Sequence, residues 1–298
     1  MSGRSIRHPG PVAVARYSAA ACRAEALILT VEGGKPFNTA VAEAFAAHGY
    51  IGGYALLEDV AMRQMNYVIP AASPDRDHAA WYSDTRAPAA GGVIKRAGLH
   101  LGRRDGEPFL HCHGLWDVPG AGILMGHLLP FEAELEEPTH VQAFGLRGAV
   151  LDVTDDAETN FRLFAPRAVE SANNAGPLNA VLATVRPNED ISLAVEAICR
   201  EHGFAAADIV GIGSLIGADY ANGRSVASYA TEVLIREGRL EATSQGPRAA
   251  FEIAMVGMDG EISSGWLTHG ANPVCVTFEL LILGRSERRE RQGEVAKG

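Results

Sequence analysis

His111 and His113 stand at i and i+2 in the segment FLHCHGLW, and His127 follows in GILMGHLL. On a β-strand, residues two apart project from one face, so His111 and His113 point together while Cys112 points away. The intervening VPGAG, Val118 to Gly122, has the composition of a hairpin turn. A hairpin centred on Gly120 sets His127 directly across from His113, within the Cβ spacing of about 4.5–5.5 Å that cross-strand partners share. Three imidazoles then converge on local geometry alone. Three neutral imidazoles with a fourth position open suit zinc or a similar divalent ion, with the open position left to water or ligand. No fourth protein ligand is evident near them in sequence.

The elements that must hold these residues occur twice. Thr30 to Tyr50 (TVEGGKPFNTAVAEAFAAHGY) aligns with Thr184 to Phe204 (TVRPNEDISLAVEAICREHGF), each closing on His-Gly-aromatic. Both read as an amphipathic helix. Ile191, Val195, Ile198, Cys199 and His202 form the face of the second, Glu189 and Asp190 stand at its start and Gly203 after its end. Pro36 opens the first, Val41, Ala44 and Phe45 form its face and Gly49 ends it. A second matching block sets Gly106 to Leu129 on the stretch around Pro247, with Ala250, Glu252 and Trp266 at the places of His111, His113 and His127. His269 is present but falls three residues late. The first copy carries surplus residues between helix and block, assigned to the Pro-, Asp- and Gly-rich stretch 71–92 as a surface excursion.

The expected organisation is an α+β chain of two tandem modules, each an antiparallel sheet packed on a helix. The first spans 20–165 and carries the histidines, 166–177 is a linker, and the second spans 178–284 without them. The tail from Arg285 is expected to fray. Hydrophobic residues make up 47% and charged residues 21% of the 298, the balance of a globular protein. A net charge of −10 opposes broad adhesion to a phosphate backbone. No stretch has the length of apolar residues needed to span a bilayer, no sustained apolar run precedes Ala26, and Cys22, Cys112, Cys199 and Cys275 show no C-x-x-C spacing. A cytoplasmic protein with reduced thiols is the expectation.

The same residues resemble the plants-and-prokaryotes conserved domain, PPC or PCC. Its pattern is an Arg-x-x-x-Glu start before a helix, a Gly-x-Gly-Ser-Leu segment, then His-x-His followed by Gly-Gly-His-Leu. Arg186-Pro187-Asn188-Glu189-Asp190 and Gly211-Ile212-Gly213-Ser214-Leu215 carry the first two, in the second copy. His111-Cys112-His113 and Gly126-His127-Leu128 carry the others, in the first. Glu32 stands where the second copy has Arg186, and Leu57-Glu58-Asp59-Val60 replaces the glycine-serine segment.

The resemblance implies trimers and a metal, often zinc, on the three histidines. Bacterial members of that family are described as candidate DNA-binding proteins. Because each copy keeps what the other lacks, Arg186 is a candidate to serve the first copy's site, the alternative being independent decay of two duplicated domains. Arg7 and His8, in the leader, would suit an anionic ligand, although a disordered leader is the stronger expectation. Two functional readings follow. One is a metal-binding protein, with or without catalysis, that takes a small anionic or carbonyl ligand; the other is a DNA-associated or regulatory oligomer. The acidic charge and the absence of an AT-hook favour the first, with weak DNA binding at most.

Overall fold

The computed structural model describes residues 3–170 and 176–285. A first segment contains β1 (Tyr17–Val31), α1 (Phe37–Ala47), β2 (Gly53–Val68), β3 (Pro70–Ala71), β4 (Trp81–Tyr82), β5 (Gly92–Arg104), β6 (Glu107–Val118), β7 (Gly122–Leu135), β8 (Thr139–Arg147), β9 (Ala149–Asp155) and β10 (Arg162–Ala168). A second contains β11 (Ala180–Val185), α2 (Ile191–Glu201), β12 (Ala207–Leu215), β13 (Ala218–Asp219), β14 (Ser225–Val226), β15 (Thr231–Thr243), β16 (Gly246–Gly257), β17 (Ile262–Trp266) and β18 (Val274–Gly284).

The chain is mostly β, which corrects the expected balance of sheet and helix. Its two helices have 11 residues each, whereas β1 alone has 15 and β2 has 16. The helical stripes stand out in the sequence because bulky apolar residues recur at helical spacing. β1 is built largely from small residues, YSAAACRAEALILTV, and its alternation emerges only as burial.

The helices begin and end as their sequences imply. Asp190 caps α2, its carboxylate accepting from the backbone N–H groups of Ser192 and Leu193. Gly49 and Gly203 follow the two helices at φ 77° and 72°, a left-handed conformation that costs glycine little.

One sheet of fourteen strands runs through the chain in the order β10-β9-β5-β6-β7-β2-β8-β1-β11-β18-β12-β15-β16-β17. Two long strands make this possible by changing partners along their length. β2 pairs with β5 over its first part and with β7 over its last, which closes β2, β5, β6 and β7 into a small barrel. β1 pairs with β11 from Tyr17 to Cys22 and with β8 from Arg23 to Val31, stitching the two segments edge to edge. Strands β1-β8-β2-β5-β6-β7 of the first segment and β11-β18-β12-β15-β16-β17 of the second follow the same order of pairing.

The core gathers around each helix. Phe37, Val41 and Phe45 of α1 pack with Trp116 and Met125 of the barrel, and Val195, Ile198 and Cys199 of α2 pack with Phe251 and Phe278. Ile212 and Leu234 of the second segment join the first cluster, so the seam between segments is apolar and continuous.

β10 continues to Ala168, into the stretch expected to be linker, and residues 171–175 lie outside the described residues. The expected frayed tail also lies outside them from residue 286 on. All four cysteines are buried and none is bonded to another. Among the described residues no helix is long and apolar enough to cross a membrane.

Candidate metal and ligand site

β6 alternates as a half-buried strand does. Leu110, Cys112 and Trp116 enter the core, while Phe109, His111 and His113 face a cavity of about 530 Å³. Burial pushes the Cys112 thiol up to about 12, so it stays protonated and apart from the histidines. The β6–β7 hairpin has the register its sequence implies: Val118 pairs with Gly122 and His113 with His127. Gly120 and Gly122 sit at φ 81° and 76° in the turn. The candidate ligand atoms of His111, His113 and His127 all lie within 4.8 Å of one another.

Each of two rings is oriented by a partner from the second segment. His111 donates through Nδ1 to the Glu279 carboxylate at 2.7 Å, and His113 donates through Nδ1 to the Val233 carbonyl at 3.0 Å. Both Nε2 atoms are thereby turned toward one another, 2.9 Å apart. Two nitrogens sharing a tetrahedral zinc would be about 3.3 Å apart, close to what is found. Outward Nδ1–H bonds of this kind fix ring orientation and tautomer in metal sites.

His127 completes the set. Its Nδ1 is buried without a hydrogen-bond partner. Burial, reinforced by the neighbouring His111 and His113, holds it well below the usual imidazole range, in the neutral form a metal requires. The residues present therefore fit a divalent ion.

Burial opposes the charge on His111, but the Glu279 carboxylate prevails and raises its affinity for a proton; the same pairing keeps Glu279 ionised although it is 1% exposed. Behind them His100, fully buried, is lowered to about 4 by desolvation and donates through Nε2 to the Glu279 backbone carbonyl.

A further carboxylate corrects the expectation that none stands by. Glu232 of β15 places Oε2 2.8 Å from His113 Nε2. No local spacing could reveal it, because 119 residues separate the two in sequence and only sheet packing joins them.

The second segment thus contributes to the site, though not through Arg186. That guanidinium binds Asp156 at 2.6 Å and Glu158 at 3.5 Å, in the connection between β9 and β10. The connection carries Asn160 and Phe161, which line the cavity, so Arg186 braces a wall from outside. Arg186→Ala is expected to leave metal content unchanged while lowering stability by about 1 kcal/mol, the scale of a partly exposed pair. Elemental analysis and urea unfolding check both, and loss of metal would return Arg186 to the site. Of the glycine-serine segment, Gly213 and Ser214 do reach the cavity wall, where Ser214 Oγ accepts from the Val276 N–H at 3.0 Å.

The leader is packed, against the expectation of disorder. Arg4 binds the Ala271 carbonyl and Asp219, Ile6 N–H donates to Asn188, and Gly10 N–H donates to the Glu158 carbonyl. His8 is buried with Nε2 donating to the Cys275 carbonyl at 2.8 Å, and Arg7 is exposed. Neither lines the cavity.

The excursion at 71–92 is largely exposed, as expected, and three of its side chains also reach the site. His78, Trp81 and Tyr82 line the cavity, and the Tyr82 ring sits edge-on to His127 at 5.2 Å. At the matching place in the second segment Glu252 pairs with Trp266, and Arg239 covers the indole at 4.7 Å. His269 turns away to Glu196 at 2.7 Å.

No family model matches the chain, and no curated protein matches it. Solved structures do. A metal-containing protein from Archaeoglobus fulgidus is 18% identical, with 47% of this chain and 92% of that one covered at a TM-score of 0.37. A plant- and prokaryote-conserved (PPC) protein from Pyrococcus horikoshii is 12% identical, covering 54% of this chain and all of its own at 0.38. A candidate DNA-binding protein from Bacteroides thetaiotaomicron is 17% identical, covering 37% and 80% at 0.31.

Proposed function

We propose that the protein binds one divalent metal ion, most readily zinc, on His111, His113 and His127, and presents it to a small anionic or carbonyl ligand. The observation that carries this reading is the pair of imidazoles whose Nδ1 atoms are committed outward while their Nε2 atoms converge. With both Nδ1 atoms donating outward in neutral rings, the two Nε2 lone pairs face each other and an ion between them would take both. A bound ion of this kind supplies Lewis-acid polarisation of a ligand oxygen.

The chain's own groups do the rest. Glu279 holds the His111 ring in place, and the Val233 carbonyl holds His113. Glu232 sets its carboxylate beside the same His113 Nε2 that faces His111, where it would reach the ion or a ligand held on it. Trp81, Tyr82 and Phe161 line the cavity with aromatic surface. The chain is read here as two tandem copies of one module, a reading supported by the common order of strand pairing. The first copy supplies the imidazoles, and the second the Glu279 carboxylate and Val233 carbonyl that orient two of them.

Elemental analysis of the purified chain tests the reading. The expected result is about one divalent ion per chain, the load of a single three-histidine site. A chain without metal, even after incubation with zinc, would end it.

Two further expectations belong to the same proposal. Assembly as a trimer, which the sequence resemblance implies, should give three times the chain mass by light scattering; a monomer would remove it. DNA binding should be weak and lost at physiological salt, because the net charge of −10 opposes counterion release. Tight, sequence-dependent binding in a fluorescence titration would favour the DNA-associated reading instead.

A further inference from the structure

The metal proposal assigns one end of the cavity; the other end has a chemistry of its own. The sheet face that carries the histidines continues along β5 and β6. His100 pairs with His111, and from His100 the alternation leads through Gly102 to Arg104, opposite Glu107. The Arg104 guanidinium lies back over the Phe109 ring, 4.2 Å from its centroid. Phe109 is two residues from His111 on the same face, roughly 7 Å along the strand.

Three observations define what would fit between them. First, the walls are aromatic: Phe131 and Phe164 approach Phe109 at 6.1 and 5.7 Å, and Trp81 stacks with Phe161 at 5.5 Å across the opening. Phe131 is 56% exposed, a large apolar ring left open at a cavity it lines. Second, Arg104 keeps its donors available. The neighbouring Asp105 is held by Arg162 through two bonds, at 2.6 and 3.1 Å, and among the described residues no carboxylate lies within ion-pair distance of Arg104. Third, the histidine end is already furnished with two carboxylates, Glu232 and Glu279. Their two charges balance a divalent ion held there, so among the described residues lining the cavity the guanidinium left to pair with an anionic head is that of Arg104.

We infer that the cavity takes an aromatic carboxylate, one ring long between its polar ends. Its carboxylate lies on the Arg104 fork, its ring lies among Phe109, Phe131 and Phe164, and an uncharged oxygen at its far edge faces the histidines. Arginine is suited to the first role because its planar donors match a carboxylate and its charge does not titrate. Aromatic rings are suited to the second because they offer edge and face contacts to a flat guest. This rests on the reading that the cavity is a ligand site next to a metal, and it adds the ligand's class and orientation.

The test uses the zinc-loaded full chain and three probes in calorimetric titration: 4-hydroxybenzoate, 4-hydroxybenzamide and cyclohexanecarboxylate. Zinc is titrated in parallel. The expected result is that the aromatic acid binds at least about tenfold tighter than its neutral amide, as a charge-assisted pair would give, and tighter than the non-aromatic acid. Arg104→Gln should erase the difference between acid and amide and leave zinc stoichiometry as it was. Arg104→Lys should restore part of it.

Equal affinity for acid and amide, an unchanged ratio in Arg104→Gln, or no binding of the acid at millimolar concentration would overturn the inference. Zinc loading without acid binding would reject this ligand class and leave the metal proposal standing. Acid binding without zinc loading would do the reverse.

Discussion

Replacing His113 by alanine is expected to take the purified chain from about one divalent ion to almost none, because two remaining imidazoles make a poor site. His113 is 1% exposed, its Nε2 faces His111 and its Nδ1 is held by the Val233 carbonyl. Its neighbours on β6, Gly114 and the core-facing Cys112, offer no replacement ligand. Glu279→Gln should act differently. The amide can still accept from His111 Nδ1 but without a charge, so metal loading survives at saturation while affinity falls roughly 10–100-fold. Competition against a chromophoric chelator measures both variants. Metal content untouched in His113→Ala, or affinity untouched in Glu279→Gln, would show that the histidines are satisfied core residues rather than ligands.

The largest effect on stability is expected at Trp116, on the opposite face of the same strand. Its side chain is fully buried, with the Tyr67 ring 4.9 Å away and nearly perpendicular, inside the barrel closed by β2, β5, β6 and β7. Trp116→Ala removes a bulky ring from a packed interior and should cost about 3–5 kcal/mol. Trp116→Phe should cost far less, below about 1.5 kcal/mol, since it keeps an aromatic ring in the site. The indole N–H has no hydrogen-bond partner to lose. Urea unfolding of both variants decides the matter. A loss below 1 kcal/mol in Trp116→Ala would mean that the barrel interior can collapse around the gap, contrary to close packing.

These two predictions share β6, and they divide along its alternation. The odd positions Phe109, His111 and His113 belong to the cavity, and the even positions Leu110, Cys112 and Trp116 belong to the core. Stability and ligand chemistry are therefore separable by substitution even between adjacent residues. A metal-free variant such as His113→Ala can be examined as a folded protein, provided its unfolding is recorded beside its metal content.

What the sequence by itself determined was whatever depends on short-range periodicity. The period of two in FLHCHGLW and the glycine turn after it set the face and register of the β6–β7 hairpin, and so brought the three histidines together. The period of helical apolar residues, with Asp190 ahead of one helix and glycine behind both, set α1 and α2. What only the tertiary structure decided depends on contacts between elements far apart in the chain. Glu232, Val233 and Glu279 reach the histidines because the sheet continues from the first segment into the second, and no local pattern encodes that juxtaposition. Arg186 was drawn toward the site by a motif, yet Asp156 and Glu158 lie nearer and claim its charge. The excursion at 71–92 is mostly exposed, as its turn formers imply, but only packing sets its His78, Trp81 and Tyr82 along an aromatic cavity. Hydrogen-bond geometry along one strand is fixed by neighbours in sequence; the partners across a cavity are fixed by packing, which sums weak contacts from the whole chain.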